Sequence, residues 1–490
     1  MSFTLTELAA ALDLSAPPIV IKELTLDSRN VTAGTLFMAV KGLNSDGRDF
    51  ISQALHSGAA AVMFEVDCPE QAGLDPEDSR LLGVYQLAKH LSALAGLFYG
   101  HPSWHQQLIG VTGTNGKSTT TQLIANWSDL LGTPAGVLGT LGNGLYGQLT
   151  AAVNTTGSPL EIQSQLAKLA TLGAKRFAIE VSSHGLHQHR VAGLNFAVAV
   201  FTNLSRDHLD YHHTMANYAA AKRQLFEQCT QQYVINADDP VGRSWLVDYP
   251  SAIAYSLHGK LADYAGPQLI GQTVHFSSEG VHVTINSDWG NGVLSAPLLG
   301  RFNVSNLLAA MGALLAAGES FERLLATAPQ LSGVAGRMEP FVAKDKPLVV
   351  VDYAHSPDAL EQVLQALRQH NKGRLWCLVG CGGDRDQGKR PLMAQAAEQG
   401  ADQVILTDDN PRTESASAII KEMQHGLMTP SAVQIIHNRA QAIDYAITHA
   451  EVDDIILVAG KGHEDYQIVG KEKFHYSDRE TVANLLGLSL

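Results

Sequence analysis

Positive charge is scarce in this chain. Lys and Arg number 34 against 48 Asp and Glu, a formal net charge of −14 at pH 7. Affinity for a phosphate backbone rests on clustered Lys and Arg, so broad nucleic-acid binding is excluded and any anionic ligand must meet locally placed cations. Cysteine is sparse too. Cys68, Cys229, Cys377 and Cys381 show no CxxC spacing and are too few to staple 490 residues, which points to a reducing compartment. No run approaches the roughly 18 apolar residues of a membrane helix. The opening "MSFTLTELAAALDL" lacks a basic n-region and reads as a small amphipathic helix. These absences lead to the expectation of a cytoplasmic chain with no membrane span.

Glycine and apolar strand-like runs are what the sequence has in quantity. With 44 glycines, 45% hydrophobic and 17% charged residues, it describes a turn-rich α/β protein. Its length exceeds one ordinary core, and three domains are expected. Residues 1–100 mix strands such as "GTLFMAV" with the helix-like "DFISQALHSGAAAVMF" and end near the turn "YGHPSW", a candidate linker. From "QQLIGVT" onward, the apolar runs "RFAIEV", "FAVAVFTNL" and "QYVINAD" alternate with helical patterns, as buried parallel strands do. Residues 265–297 alternate as in "GVHVTINSD", a half-exposed antiparallel excursion before the helix "NVSNLLAAMGALLAAG". A second α/β series, "PLVVVDYA", "RLWCLVG", "DQVILTDD", "VQIIH" and "DIILVAG", fills the remainder. The predicted architecture is a small N-terminal α/β domain (1–100), a central parallel-sheet phosphate-loop ATPase domain (101–337) and a C-terminal Rossmann-like α/β domain (338–490). Ligands of open parallel sheets gather beyond the carboxyl ends of strands, so the loops after these runs should carry the chemistry.

"GVTGTNGKSTT", Gly110 to Thr120, sits between the strand "QQLIGVT" and a helix whose apolar stripe is Leu123, Ile124, Trp127, Leu130 and Leu131. That is where a phosphate loop belongs: backbone N–H groups face oxygens, the helix N-terminus adds positive potential, and a lysine bridges the terminal phosphates. Gly113, Thr114, Asn115, Gly116, Lys117, Ser118 and Thr119 are therefore the expected ATP cradle, with Ser118 placed to ligate Mg²⁺. The spacing departs from G-x-x-x-x-G-K-[ST], since Gly110 lies six residues and Gly113 three before Gly116. A glycine turn without nucleotide is the alternative.

Two neighbouring strand ends add Glu180, from "RFAIEV", and Asp207, His208 and Asp210, from "TNLSRDHLDYHH". Hard oxygen ligands suit Mg²⁺, whereas an imidazole such as His208 is more often structural. Lys222, in "TMANYAAAKRQLFEQC", reads from composition alone as a solvated surface lysine.

"TGTNGKST", "NTTGSP", "EVSSHGLHQHR", "FTNLSRDHLDYH", "AAKRQLF", "GRFNVSN", "GVAGRMEPF", "VDYAHSPDAL" and "GCGGDRDQGKRPLM" occur in this order. Together they resemble the Mur ligase family, ATP-dependent enzymes that add amino acids to the UDP-N-acetylmuramoyl peptide of the bacterial cell wall. "TDDNPRTE" and "GKGHEDYQ" further resemble the family's diaminopimelate-adding branch. The resemblance spans essentially the whole chain. It implies transfer of the ATP γ-phosphate to a substrate carboxylate and attack of an amine on the acyl phosphate, giving an amide, ADP and phosphate. It implies ATP and Mg²⁺ as cofactors, UDP-N-acetylmuramoyl-L-Ala-D-Glu and meso-2,6-diaminopimelate as substrates, and a monomer as the working state.

Residue by residue, the resemblance makes Lys117, Lys222 and His208 catalytic, with Lys222 carbamylated and ligating Mg²⁺ together with Ser118, Glu180 and His208. Asn154, Thr155, Thr156, Ser182, Gln188 and Arg190 would bind the UDP-sugar peptide. Leu26, Ser28 and the loop Leu43, Asn44 and Ser45 would bind uridine. Asn303, Arg337, Asp352 and Tyr353 would face ATP, with domain closure excluding water. Asp409, Asn410, Pro411 and Arg412, with Arg385, Gly460 and Glu464, would clamp the second amino-acid head of diaminopimelate. Arg412 offers a fork to its carboxylate and Glu464 a partner for its ammonium. Alone, "DNPR" reads equally as a turn. Rival readings are a phosphate-loop switch or motor, an oxidoreductase hung on "VGCGGDRDQG", and a lysine-adding ligase differing at the clamp.

Overall fold

The computed structural model describes residues 3–42, 45–277 and 280–490. They fall into two compact units. One comprises 1–256, 260–269 and 309–320, the other 257–259, 270–308 and 321–490.

The first unit contains two main sheets besides the short antiparallel pair Phe3–Thr4 and Val20–Ile21. Its N-terminal sheet orders the strands Glu23–Thr25, Thr35–Ala39, Ala61–Val66 and Leu81–Tyr85 in parallel, with Gly73–Leu74 antiparallel at the edge. The helix read across "DFISQALHSGAAAVMF" is a correction: it spans only Ile51–His56, and "AAAVMF" supplies the strand Ala61–Val66. The helix is closed by Gly58 N donating to Leu55 O and Ala59 N to Ala54 O. The residues beyond it, Ala61, Val62 and Met63, are fully buried between two neighbouring strands. Burial on both sheet faces makes a continuous apolar run that helical and strand periods fit equally well.

In the larger sheet of this unit Ala135–Gly139, Arg176–Glu180, Gln107–Thr112, Phe196–Phe201, Cys229–Asn236 and Ile253–Ser256 are parallel neighbours, and Gly142–Leu145 and Gln148–Thr150 extend it antiparallel beyond Ala135–Gly139. These are the apolar runs legible in the sequence. Their order places Gln107–Thr112 between Arg176–Glu180 and Phe196–Phe201, so the loops after those three strands emerge side by side at one sheet edge. "YGHPSW" is no open tether: Pro102 begins a short helix, and buried Ser103 accepts from Asn195 N at 3.1 Å. Ser92 Oγ accepts from Gly193 N at 2.9 Å, and Leu160 sits in the apolar cluster of the N-terminal sheet. The first hundred residues thus dock against the rest of the unit while keeping an apolar cluster separate from that of the parallel sheet.

In the second unit Gly280–Ser287 and Gly290–Ala296 form the expected antiparallel pair. Its main sheet orders Glu339–Phe341, Leu348–Asp352, Ile455–Ala459, Leu375–Val379, Gln403–Leu406 and Gln434–Ile435, parallel except for the first strand. Apolar clusters cover both faces. Arg439, which opens the helix Arg439–His449, is buried, with Nε and Nη2 donating to Asp478 at 2.7 and 2.8 Å and Nη2 donating to Ala459 O at 2.7 Å. One ion pair thus pins two helices to the end of the central strand. Removing the cation strands a fully buried carboxylate, a loss of about 3–5 kcal/mol. Arg439→Leu is expected to lower the urea midpoint of this unit accordingly, and a change below about 1 kcal/mol would show that the pair is not what holds these helices.

Candidate active site

Gln107–Thr112 ends in the loop Gly113–Gly116, and the helix Lys117–Leu130 begins at once. Gly116 precedes it at φ 83° and no side chain caps it. First-turn N–H groups lack a carbonyl one turn earlier, so this end is suited to an anion. Gly113 stands at φ 154°, and a Cβ there would collide with Thr202 Oγ1. The neighbouring strand holds the loop in place. Thr202 Oγ1 and Asn203 Nδ2 both donate to Asn115 O, at 2.6 and 3.1 Å, and Asn203 Oδ1 accepts from Asn115 N at 2.9 Å. Thr114 N donates to Asn203 O at 2.9 Å, and Ser205 N donates to Thr114 Oγ1 at 3.0 Å.

Two lysines meet at one carbonyl. Lys117 Nζ donates to Gly113 O and Thr114 O, both at 2.8 Å, and Lys222 Nζ donates to the same Gly113 O at 2.7 Å. Lys222 is 1% exposed, which overturns the solvated-surface alternative. Burial, and next the charge of Lys117, hold its ammonium well below the usual lysine range. The pocket thus disfavours a second ammonium beside Lys117.

Glu180, 2% exposed, closes the other side. Its Oε2 accepts from Ser118 Oγ at 2.9 Å and Thr140 Oγ1 at 3.2 Å, and its Oε1 from Thr140 N at 2.8 Å. A hydroxyl and a carboxylate in contact beside a phosphate loop form a hard-oxygen set that fits Mg²⁺. Among the described residues no three His, Cys, Asp or Glu gather into a metal cluster. His208 is half-exposed, 3.4 Å from Asp207, with its ring edge-on to His184 at 4.9 Å. Asp207 and Asp210 are exposed.

The residues expected to bind the sugar peptide form a connected chain. Thr156 Oγ1 donates to Glu180 O and accepts from Ser182 N, both at 2.9 Å, and Arg190 Nη1 donates to Thr156 O at 2.7 Å. Arg190 Nε also donates to Gln188 Oε1 at 3.0 Å, and Ser182 caps the helix Ser183–His187. Thr155 Oγ1 accepts from Thr140 Oγ1 at 3.0 Å, while Asn154 is exposed. In the N-terminal sheet, half-buried Leu26 precedes buried Ser28, whose hydroxyl lies 3.4 Å from Gln53 Oε1. Ser45 is exposed, and Leu43 and Asn44 lie outside the described residues.

In the second unit Asn303 is buried, donating to Leu299 O at 2.9 Å. The Arg337 guanidinium lies 4.4 Å from the centre of the Tyr353 ring. Asp352 accepts from Met338 N and Ala354 N, both at 2.7 Å; burial raises its carboxyl above the usual range, opposed first by Arg337. The loop after Gln403–Leu406 carries Asp409, Asn410, Pro411 and Arg412. Asn410 Nδ2 donates to Glu464 Oε2 at 3.2 Å, and Arg412, at φ 51°, donates through Nη1 to Gly383 O at 2.8 Å. A non-glycine residue held at positive φ is a strained feature that clusters at ligand clamps. Gly460 ends the strand Ile455–Ala459, its N–H donating to Asp352 O at 3.0 Å. Arg385 is exposed, its side chain passing Gly382 beside Arg412 and its charge acting on the Tyr353 hydroxyl.

Family models for the "Mur ligase family, catalytic domain", the "Mur ligase middle domain" and the "Mur ligase, glutamate ligase domain" match residues 20–99, 111–314 and 336–462. Over 475 residues, 96% of each chain, the sequence is 53% identical to UDP-N-acetylmuramoyl-L-alanyl-D-glutamate–2,6-diaminopimelate ligase of Haemophilus influenzae. The chain belongs to the Mur ligase family. A solved structure of a ligase of that same name superimposes with a TM-score of 0.74 at 36% identity, covering 99% of each chain. The MurF ligase of Thermotoga maritima, solved with ADP, shares the fold alone: TM-score 0.64, 19% identity, 89% of this chain and 93% of that one. The three-domain α/β class expected from the sequence is thereby established for this Mur ligase.

Sequence reading missed Tyr218 and Lys461. The Tyr218 hydroxyl lies 3.2 Å from Thr114 Oγ1 and its ring 4.5 Å under Lys222 Nζ. Its signal was the i, i+4 spacing to Lys222 on one helix face. Lys461 was hidden inside "GKGHED", where only its neighbours carried roles. Gly113→Ala is expected to weaken ATP binding by calorimetry about 5- to 100-fold, from roughly 1–3 kcal/mol of backbone strain plus the Thr202 collision. Unchanged affinity would remove this loop from the nucleotide site.

Proposed function

We propose that this Mur ligase joins meso-2,6-diaminopimelate to UDP-N-acetylmuramoyl-L-Ala-D-Glu in peptidoglycan precursor synthesis, driven by ATP through an acyl phosphate. The observation that carries the reading is the Gly113 carbonyl shared by Lys117 and buried Lys222, 2.8 and 2.7 Å away, beside the Ser118–Glu180 contact. A carboxylate is a poor electrophile until phosphorylation gives it a departing group, and two anions must approach for that to happen. Charge neutralisation at the phosphate loop is the physical requirement. Lys117 would bridge the terminal phosphates and the first-turn N–H groups would cradle them. Ser118, Glu180, His208 and Lys222 would hold Mg²⁺, with Lys222 as the carbamate, which turns the excess cation beside Lys117 into an oxygen ligand. When bound, the metal screens the approaching phosphate and carboxylate charges.

Asn303, Arg337, Asp352 and Tyr353 are assigned to ATP; Asn154, Thr155, Thr156, Ser182, Gln188 and Arg190 to the sugar peptide. Leu26, Ser28, Leu43, Asn44 and Ser45 are assigned to its uridine. Residues 1–100, 101–337 and 338–490 would serve as the UDP-binding, ATP-binding and amino-acid-binding domains. Asp409, Asn410, Pro411, Arg412, Arg385, Gly460 and Glu464 would recognise diaminopimelate. Lysine lacks the second carboxylate and would leave the Arg412 charge without an anionic partner, the basis for its rejection. The protein acts as a cytoplasmic monomer in this reading; no helix among the described residues is long and apolar enough to cross a membrane.

Phosphate release measured with the UDP-sugar dipeptide and either meso-diaminopimelate or L-lysine, with products weighed by mass spectrometry, tests the assignment. A diaminopimelate adduct is expected. A lysine adduct would overturn the Arg412 clamp, and release without either amine would favour the switch or motor alternative. Lys222→Ala should lose ligation by about 100-fold or more, with partial recovery in added formate or acetate; near-normal turnover without added acid would remove Lys222 from the mechanism. Arg412→Lys should raise the KM for diaminopimelate far more than that for ATP, and equal rises would make Arg412 structural.

A further inference from the structure

Lys461 is fully buried between loops that the proposed function assigns to the amine. Its Nζ donates to Asn410 Oδ1 at 3.1 Å and to Tyr466 O at 2.7 Å. It lies 3.2 Å from Asp409 Oδ1 and 3.6 Å from Glu464 Oε2. One ammonium therefore faces two carboxylates from two different loops. Asn410 Oδ1 also accepts from Ile468 N at 3.0 Å. With two donors converging on that oxygen, the amide can stand only one way, and its NH₂ group is left to face Glu464 Oε2 at 3.2 Å. The cation thus sets the side-chain orientation that in turn aims the carboxylate.

We infer that Lys461 is a positioning residue for the amine substrate: it is the counter-ion that lets Asp409 and Glu464 stand side by side, and the donor that fixes the Asn410 amide against Glu464. The inference rests on the amine-adding reading and goes beyond it, since Lys461 itself would touch neither substrate nor nucleotide. Several groups act on Glu464: Lys461 on its own loop, Asp409 and Asn410 from the loop after Gln403–Leu406, Tyr466 from the following strand and Tyr353 from the loop after Leu348–Asp352; Arg412 acts on Tyr466, and Arg337 and Arg385 on Tyr353. Burial raises the Glu464 carboxyl above its usual range; Lys461 opposes that rise, and Asp409 adds to it. Glu464 must be ionised to pair with an ammonium. Losing Lys461 therefore moves the acid limb of amine use to higher pH, and losing the Asp409 charge moves it to lower pH.

The test is steady-state kinetics of Lys461→Met from pH 5 to 9, with folding checked by the gain in thermal midpoint on adding ADP. The expected result is a rise of about tenfold or more in KM for meso-diaminopimelate, with KM for ATP within about twofold. The acid limb of kcat/KM for the amine should also rise by about one pH unit. A cation that merely ties loops together would raise both KM values alike and leave the limb in place, and that result overturns the inference. Asp409→Asn gives an independent reading if Lys461→Met does not fold: its acid limb must shift downward, and an unmoved or raised limb overturns the inference as well. Failure of the wild-type protein to form any diaminopimelate adduct would instead sink the amine-adding reading itself.

Discussion

The Gly113 carbonyl is the point on which the candidate active site turns. Lys117 and Lys222 both donate to it, from the first residue of one helix and the middle of another. For that to happen, the loop must pass close enough to the next strand that Thr202 leaves no room for a Cβ at Gly113. The order of the parallel strands supplies the closeness, since Phe196–Phe201 pairs directly with Gln107–Thr112 and Arg176–Glu180 pairs on its other side. Loop, lysines and carboxylate converge because three adjacent strands end together. Burial, and next the charge of Lys117, disfavour the Lys222 ammonium at this point.

Much of this was legible in sequence. Continuous apolar runs such as "RFAIEV" and "FAVAVF" are what strands buried on both faces require, and they mapped onto Arg176–Glu180 and Phe196–Phe201. The glycine loop announced itself by its strand and helix flanks. Where the pattern misled, as at "AAAVMF", the cause was again burial on both faces, which erases the alternation that separates strand from helix. Lys222 was illegible from composition because a lysine among alanines looks solvated; its burial arises from tertiary packing against Tyr218 and the loop. Only the ordered set of motifs, and the family membership they signalled, singled it out.

The second unit repeats the logic with opposite charge. There the buried cation Lys461 is surrounded by Asp409, Glu464 and Asn410, so its charge is met rather than crowded. Arg390, also fully buried, binds Glu414 and Glu422 and so anchors the far end of the segment that carries Arg412. These buried ion pairs are costly to assemble and costlier to break, which suits loops that must present charged groups in fixed positions. Lys461 and Glu464 lie three residues apart, but the other partners are far along the chain and gave no local sequence signal: Arg390 and Glu414 are 24 positions apart, Arg439 and Asp478 39.

The central claim is that ATP activates a carboxylate for attack by an amine, and the fate of one oxygen decides it. With UDP-N-acetylmuramoyl-L-Ala-D-Glu carrying ¹⁸O in the glutamate side-chain carboxylate, mass analysis of the released phosphate after ligation should find one ¹⁸O atom per phosphate derived from labelled carboxylate. Phosphate carrying only unlabelled oxygen, formed in step with ATP consumption, would mean that water rather than the carboxylate receives the phosphoryl group, and would contradict the account.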